Sequence, residues 1–123
     1  MVGGDRDIFD AVRPLFELMG QNIVYQGAAG SGQHCKMANQ IAIAGLVQGL
    51  SEALHFAEKA GLSIEDVVEV ISQGAAGSWQ MANRYKTMAA DEYAFGFAVD
   101  WMRKDLGICL STANETGASL PVT

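Results

Sequence analysis

Cysteine and proline are both scarce in this chain of 123 residues, which has two of each. The cysteines, Cys35 and Cys109, lie far apart and form no CxxC pair, which excludes a disulfide scaffold and a zinc ribbon and suits a reducing cytoplasm. Long apolar runs are also lacking, because no stretch reaches the roughly 18 residues that a membrane span needs. We therefore expect a cytoplasmic protein with no membrane span.

Positively charged residues are also few. Eight Lys and Arg stand against fourteen Asp and Glu, for a net charge of −6, and no basic run occurs. This balance argues against nucleic acid and anionic membranes as the main partners. Half of the residues are hydrophobic and 18% are charged, so the chain has enough apolar material for a folded core.

The first 27 residues have the pattern of a β-α-β piece. A helix is predicted from a cap at Asp5 or Asp7 to a stop at Gly20, because its apolar residues recur at helical spacing. A short strand is predicted at residues 22–25, and residues 1–2 would be the end of a first, parallel strand. Since one such unit cannot cover both faces of a parallel sheet, we expect the chain to be cut from a larger α/β protein.

Helices are predicted for the rest of the chain. The first is long, over residues 33–60, and its apolar residues fall on nearly every side, which predicts burial all round. These residues are Met37, Ile41, Ile43, Leu46, Val47, Leu50, Leu54 and Phe56. Ser63 is predicted to cap the next helix, with Val67, Val68, Val70 and Ile71 as its buried face. Two further helices are predicted over residues 78–89 and 98–116.

The most informative local feature is a gap in charge around Lys36. Between Glu17 and Glu52 it is the one residue with a full charge, so no carboxylate within four positions can pair with it. Burial without a partner favours the neutral amine of a lysine and makes it a general base near neutral pH. Asn39 and Gln40 follow on the same helix face, and their amides suit positioning the amine or binding a substrate oxygen. The alternative is a lysine that extends to solvent from the first turn.

Three glycines, Gly27, Gly30 and Gly32, lead into the long helix. They do not form the dinucleotide fingerprint, which has the order G-x-G-x-x-G and follows a first strand. A tight turn is the simpler interpretation, although such a turn also offers backbone amides to an anion and lets a substrate approach beside Lys36.

Other polar residues have structural interpretations. His34 and Cys35 are sequence neighbours that point in different directions on a helix, so we expect no metal site. Lys104 and Asp105 interrupt an apolar helix, and their spacing alone is compatible with a solvated surface.

Residues 30–40, with the sequence GSGQHCKMANQ, resemble the G-x-G-x-x-x-K-x-x-N-[NQ] segment of the β-hydroxyacid dehydrogenases. That family includes 3-hydroxyisobutyrate dehydrogenase, tartronate semialdehyde reductase and relatives of 6-phosphogluconate dehydrogenase. Further landmarks follow in the family's order. They are Val2-Gly3-Gly4-Asp5, Arg13-Pro14, Met19-Gly20, Ser51-Glu52-Ala53-Leu54, Ala60-Gly61, Gly96-Phe97, Arg103-Lys104-Asp105-Leu106 and Leu120-Pro121.

This resemblance implies a mainly α-helical bundle like the C-terminal domain of 6-phosphogluconate dehydrogenase, preceded by a residual β-α-β piece of a Rossmann domain. It places the tail of the NAD(P)-binding domain at residues 1–27. It places a truncated helical substrate and dimerisation domain at residues 28–123. It also implies a homo-oligomer, a dimer or a tetramer.

The activity implied by the resemblance is hydride transfer between a small, 3-hydroxyisobutyrate-like 3-hydroxyacid and NAD or NADP. In the family the motif lysine, here Lys36, is the general acid/base, and the motif asparagine, here Asn39, positions the substrate. Gln40 stands where many members have a second Asn and is carried over as substrate-binding. Lys104 is carried over as lying close to the cofactor.

Two parts of the family's pattern are missing. The chain has neither the N-terminal dinucleotide domain nor the Ser-Gly-Gly loop that holds the substrate carboxylate. We therefore expect an inactive fragment, with the cofactor bound mainly by the missing domain. The alternative is a non-catalytic helical dimerisation or interaction domain derived from this family, and the retention of Lys36 and Asn39 favours the enzyme.

Overall fold

The computed structural model describes residues 1–94, 96 and 98–123, and most of this part of the chain is α-helical. The helices are α1 (Arg6–Glu17), α2 (Ser31–Lys59), α3 (Ile64–Ile71), α4 (Trp79–Ala89) and α5 (Val99–Thr116). The prediction of a mainly helical fold is therefore confirmed. One of the landmarks, Phe97, lies outside the described residues.

Helix α1 begins where the sequence predicts a cap. The Asp5 carboxylate accepts hydrogen bonds from the backbone amides of Asp7 and Ile8, at 2.9 and 3.1 Å. It thereby satisfies two amides that have no partner inside the helix. The helix ends at Glu17, before the predicted stop at Gly20.

The predicted strand at residues 22–25 is reduced to a single parallel bridge between Val2 and Tyr25. Its backbone bonds run from the Val2 amide to the Val24 oxygen, at 3.2 Å, and from the Gln26 amide to the Val2 oxygen, at 2.8 Å. The parallel direction agrees with the prediction. A single bridge is expected here, because among the described residues no further strand lies beside these two segments to stabilise them.

The start of the chain passes very close to the start of α2. A Cβ atom at Gly3 would lie 2.6 Å from the backbone oxygen of Ala28 and 2.9 Å from the backbone nitrogen of Gly32. Because both neighbours are backbone atoms, only glycine fits there without moving the main chain. The backbone around Gly3 thus packs directly against the backbone at the start of α2.

Two compact units can be distinguished, and both take part of α2 and α5. Unit 1 comprises Met1–Ile41 and Arg103–Leu120, and unit 2 comprises Ala42–Met102 and Pro121–Thr123. Unit 2 has an apolar core. Its buried members are Leu50, Leu54, Val68 and Met81, and the partly buried residues packed against them are Ile64, Ile71, Tyr85 and Met88.

Side-chain caps start two helices of unit 2 at the predicted places. The Ser63 hydroxyl accepts a hydrogen bond from the Asp66 amide at 3.3 Å, and the Ser78 hydroxyl accepts one from the Met81 amide at 3.0 Å. The prediction that Val70 is buried is wrong, because 74% of it is exposed. An eight-residue helix buries one stripe, and that stripe contains Val68.

Burial of α2 on all sides is also a wrong prediction for this chain. Leu50, Leu54 and Ala57 are buried and repeat at helical spacing, whereas Leu46 and Phe56 are 45% and 71% exposed. The other helices of unit 2 are short and cover one face of this long helix. No helix in the described part of the chain is long and apolar enough to cross a membrane.

Candidate active site

The predicted site residues all belong to unit 1. Lys36, Asn39 and Gln40 lie in the first three turns of α2, and Lys104 lies in the part of α5 that belongs to the same unit. Residues three and four positions apart on a helix share a face, so Asn39 and Gln40 lie on the same side of α2 as Lys36. The fold therefore keeps the local arrangement that the sequence predicts.

Asp105 connects α5 to α2 through its side chain. It is 9% exposed, and each of its carboxylate oxygens has a partner. Oδ1 lies 2.8 Å from Nζ of Lys104, and Oδ2 accepts a hydrogen bond of 2.8 Å from Nε2 of Gln40. The interpretation of Asp105 as a solvated surface residue is thus wrong, whereas the Lys104 side chain is 56% exposed.

The sequence contains a signal that identifies Asp105 as buried. Asp105, Cys109 and Ala113 are the buried residues of α5, and they repeat every four positions. An apolar stripe interrupted by one carboxylate at helical spacing places that carboxylate on the buried face. What the pattern cannot give is the partner, because Gln40 lies 65 positions earlier in the chain.

The surroundings of Asp105 favour its ionised form. The Lys104 ammonium and the Gln40 amide hold the pKa of this carboxyl below its ordinary value. The positive charge of Lys36 acts in the same direction, and burial opposes it. Asp105 is therefore a carboxylate at neutral pH, in contact with Lys104 and within electrostatic range of Lys36.

A second hydrogen bond extends this arrangement along α2. Oε1 of Gln40, which is 5% exposed, accepts a bond of 3.0 Å from Nδ2 of Asn39. Asn39, Gln40, Asp105 and Lys104 thus form one series of polar contacts, which we call the polar chain. No buried side-chain nitrogen or oxygen among the described residues lacks a hydrogen-bond partner.

Lys36 is exposed, which corrects the expectation of a lysine inside a buried helix. Lys36 also has a carboxylate within electrostatic range, because Asp105 of α5 interacts with it. A count of charges within four positions on one helix misses such a neighbour. Lys36 thus extends an exposed side chain within electrostatic range of a buried carboxylate.

The buried thiol of Cys109 lies one helical turn after Asp105. Its Sγ is 3.7 Å from the backbone oxygen of Met37. Burial raises the pKa of this thiol, and the negative charge of Asp105 raises it further, so Cys109 is protonated at neutral pH. No group of three or more His, Cys, Asp or Glu that could hold a metal ion occurs within the described residues.

The glycines before α2 form a turn. Gly27 and Gly30 have φ angles of +124° and +96°, which residues with a side chain rarely adopt. The Ser31 amide donates to the Ala28 oxygen at 3.0 Å, and this closes the turn immediately before the helix. The interpretation as a tight turn is confirmed.

Two clefts, of about 240 and 180 Å³, lie within unit 2. Neither is lined by Lys36, Asn39, Gln40 or Lys104. The candidate site is therefore identified by its buried polar contacts and its charges. Neither cleft contains the candidate residues.

Comparison with known proteins gives three results that bear on this site. Residues 30–123 match the family model described as the NAD-binding part of NADP-dependent 3-hydroxyisobutyrate dehydrogenase. An uncharacterised oxidoreductase of Shewanella frigidimarina is 57% identical over 122 residues, which cover 99% of this chain and 42% of the relative. The 2-hydroxy-3-oxopropionate reductase of Escherichia coli is 41% identical over 123 residues, which cover 100% of this chain and 42% of that enzyme.

A solved structure with a similar fold is that of Mycobacterium tuberculosis 3-hydroxyisobutyrate dehydrogenase with L-serine. It superposes with a TM-score of 0.88 at 32% identity, and the match covers 99% of this chain and 44% of the other. The chain therefore spans about two fifths of the length of the relatives it matches.

Proposed function

The chain belongs to the family of 3-hydroxyisobutyrate dehydrogenases, and on this basis we propose that it is the helical part of an oxidoreductase for small 3-hydroxyacids. Family membership confirms the resemblance of residues 30–40 to the β-hydroxyacid dehydrogenases. The proposed reaction moves a hydride between a 3-hydroxyisobutyrate-like substrate and NAD or NADP. In this proposal residues 1–27 are the tail of a dinucleotide domain, and residues 28–123 are the substrate domain.

Lys36 is the proposed general acid/base. When a hydroxylated carbon loses a hydride, its oxygen must lose a proton, and a base within hydrogen-bond distance accepts it. The observation that carries this role is the exposure of Lys36 on the face of α2 that also holds Asn39, where its Nζ can meet a substrate hydroxyl. In the direction of oxidation its Nζ takes the hydroxyl proton, and in the direction of reduction it returns the proton to the carbonyl oxygen.

Asn39 and Gln40 are the proposed substrate-binding residues. Asn39 is exposed on the same face of α2 as Lys36, so its amide suits a substrate oxygen or hydroxyl. Gln40 is buried and spans from Asn39 to Asp105. Gln40 therefore contributes to substrate binding through Asn39. The length of its side chain matters because the side chain reaches Asp105 on α5.

The charges of the site suit an anionic cofactor. Lys36 and Lys104 carry two positive charges against the single carboxylate of Asp105, and Lys104 extends an exposed side chain from α5. Lys104 is the residue that would hold the dinucleotide here, through attraction to its phosphates. When bound, the nicotinamide supplies the hydride acceptor or donor, and most of the cofactor's binding site belongs to the proposed dinucleotide domain.

A homo-oligomer and a cytoplasmic location complete the proposal. Leu46, Phe56 and Leu18 are 45%, 71% and 85% exposed, so apolar side chains are available for contact with a second copy of the chain. Both cysteines are unpaired, as expected in a reducing compartment. The second candidate function, a helical dimerisation domain without chemistry, is favoured by the same exposed residues.

A chimera tests the proposed reaction. This chain replaces the 122 matching residues of the Shewanella frigidimarina oxidoreductase, and hydride transfer is followed by absorbance with 3-hydroxyacids and NAD or NADP. We expect turnover by the chimera and none by the 123 residues alone. The Lys36→Ala variant should lower kcat by roughly 10²- to 10⁴-fold.

The matched control is Lys59→Ala, which removes an exposed lysine from the last turn of the same helix. It should leave kcat within about twofold, because a solvated surface substitution has little effect. A folded chimera without turnover would favour the dimerisation domain. An active chimera in which Lys36→Ala behaves like Lys59→Ala would contradict the role of Lys36.

A further inference from the structure

The polar chain has a fixed direction, which follows from the chemistry of its members. Asp105 is a carboxylate at neutral pH, so its Oδ2 can only accept. Gln40 must therefore turn its Nε2 towards Asp105, and this leaves its Oε1 to accept from Asn39. Asn39 in turn must donate through Nδ2. Each amide in the series is thus oriented by the carboxylate at its end.

The orientation of Asn39 decides what it offers to a ligand. Its contact with Gln40 uses one N–H of Nδ2 and leaves Oδ1 out of the polar chain. An amide oxygen accepts hydrogen bonds, so Oδ1 suits an ammonium or a substrate hydroxyl. With the amide turned over, the outward group would be NH₂, which cannot accept from either.

We propose that Asp105 is a positioning residue which, through Gln40, fixes the amide of Asn39 with its oxygen available to the Lys36 ammonium and the substrate hydroxyl. The orientation of the amides rests on the contacts within unit 1, and its consequence for catalysis rests on the proposed function. Asp105 touches neither reactant in this role. It acts along two side chains, from α5 to the exposed face of α2.

Two variants separate this role from simple packing. Asp105→Asn keeps the size of the side chain but gives it both a donor and an acceptor, so Gln40 and Asn39 can turn over together. Asp105→Asn combined with Gln40→Glu moves the carboxylate one place along the polar chain. The amide introduced on α5 then donates to the carboxylate introduced on α2, and because that carboxylate only accepts, Asn39 must again donate. The matched control is Glu115→Gln, which removes an exposed carboxylate from the same helix as Asp105.

Hydrogen exchange of side-chain amides, measured by NMR on the 123-residue chain, gives a direct test. In the unchanged chain one Nδ2 proton of Asn39 should exchange about fivefold more slowly than that of an exposed asparagine, as a single net hydrogen bond implies. Asp105→Asn should remove this protection, the double variant should restore it, and Glu115→Gln should leave it unchanged.

The proposal is overturned if both Nδ2 protons of Asn39 in the unchanged chain exchange at the exposed rate. It is also overturned if Asp105→Asn keeps the protection, or if a folded double variant fails to restore it. The first of these measurements needs no substitution, so it can overturn the proposal even where Asp105→Asn does not fold.

Turnover of the chimera tests the catalytic consequence. Asp105→Asn should lower kcat more than it changes the KM for substrate, and the double variant should recover a large part of kcat. The expected exchange pattern in a chimera without turnover would contradict the proposed function alone. An active chimera without that pattern would contradict the role of Asp105 alone.

Discussion

The two parts of α2 differ in what they bury. Its unit 1 part, which ends at Ile41, buries the polar Gln40, and α5 brings the buried Asp105 against it. Its unit 2 part buries Leu50 and Leu54, and the buried core of that unit is apolar. A buried polar group costs stability unless it is fully paired, so a fold retains such groups where they have a further use. On this difference we propose that unit 1 is the part of the chain that takes part in the chemistry.

Substitutions in the two parts should therefore have different consequences. Changes in the core of unit 2 should alter stability, because nothing but packing is lost there. Changes along the polar chain should alter binding or turnover, with smaller effects on stability.

The largest effect on stability is expected from Leu54→Ala in unit 2. Leu54 is 6% exposed within the core, and removing a buried leucine side chain costs about 2–5 kcal/mol of unfolding free energy. Phe56→Ala, on the same helix but 71% exposed, is the matched control and should cost less than about 1 kcal/mol. Urea denaturation of the 123-residue chain measures both. Equal losses would mean that unit 2 does not have the core described here.

Lys104→Ala should have a smaller effect, on cofactor binding. Loss of one cation that attracts the dinucleotide should raise the KM for NAD or NADP roughly tenfold and leave kcat within about threefold, because the attraction is the same before and during hydride transfer. Steady-state kinetics of the chimera give both constants, with Lys59→Ala again as the control. An unchanged KM for the cofactor would remove Lys104 from the site.

The smallest effect is a dependence of stability on acid pH. The pKa of Asp105 is lower in the folded chain than in the unfolded chain, so its ionised form stabilises the fold. This stabilisation is complete above the ordinary pKa of about 4 and is lost as the pH falls through the lower, folded value. Asp105→Asn should therefore weaken the loss of stability in acid, as measured by denaturation at a series of pH values. Identical pH profiles for both proteins would contradict the coupling of Asp105 to its partners.

Local features of the fold were predictable from the sequence. The caps at Asp5 and Ser63 and the order of the helices follow from short-range spacing and hydrogen bonding, which act on a few neighbouring residues. The division of the chain at residues 27 and 28 stays a prediction. Burial was predicted less well, as the exposed Leu46 and Val70 show, because hydrophobic spacing does not reveal how much of a helix the rest of the chain can cover.

The candidate site was also predictable only in part, because short-range spacing groups the residues of one helix but does not show contacts between two helices. Lys36, Asn39 and Gln40 stand together on one helix, so their spacing and the family's motif were enough to group them. The contact of Asp105 with Gln40 was missed because it joins residues 65 positions apart. The spacing of Asp105, Cys109 and Ala113 alone indicates that Asp105 is buried. Lys104 was grouped with the site through the resemblance alone, and the structure adds its contact with Asp105.

The proposed proton transfer by Lys36 is tested most directly by kcat of the Lys36→Arg chimera. Arginine keeps a positive charge at this position but does not release its proton at working pH. We expect kcat to fall nearly as far as in Lys36→Ala, by roughly 10²- to 10⁴-fold, while the KM for the cofactor stays close to its original value. A kcat near that of the unchanged chimera would contradict the proton transfer and reduce Lys36 to an electrostatic anchor.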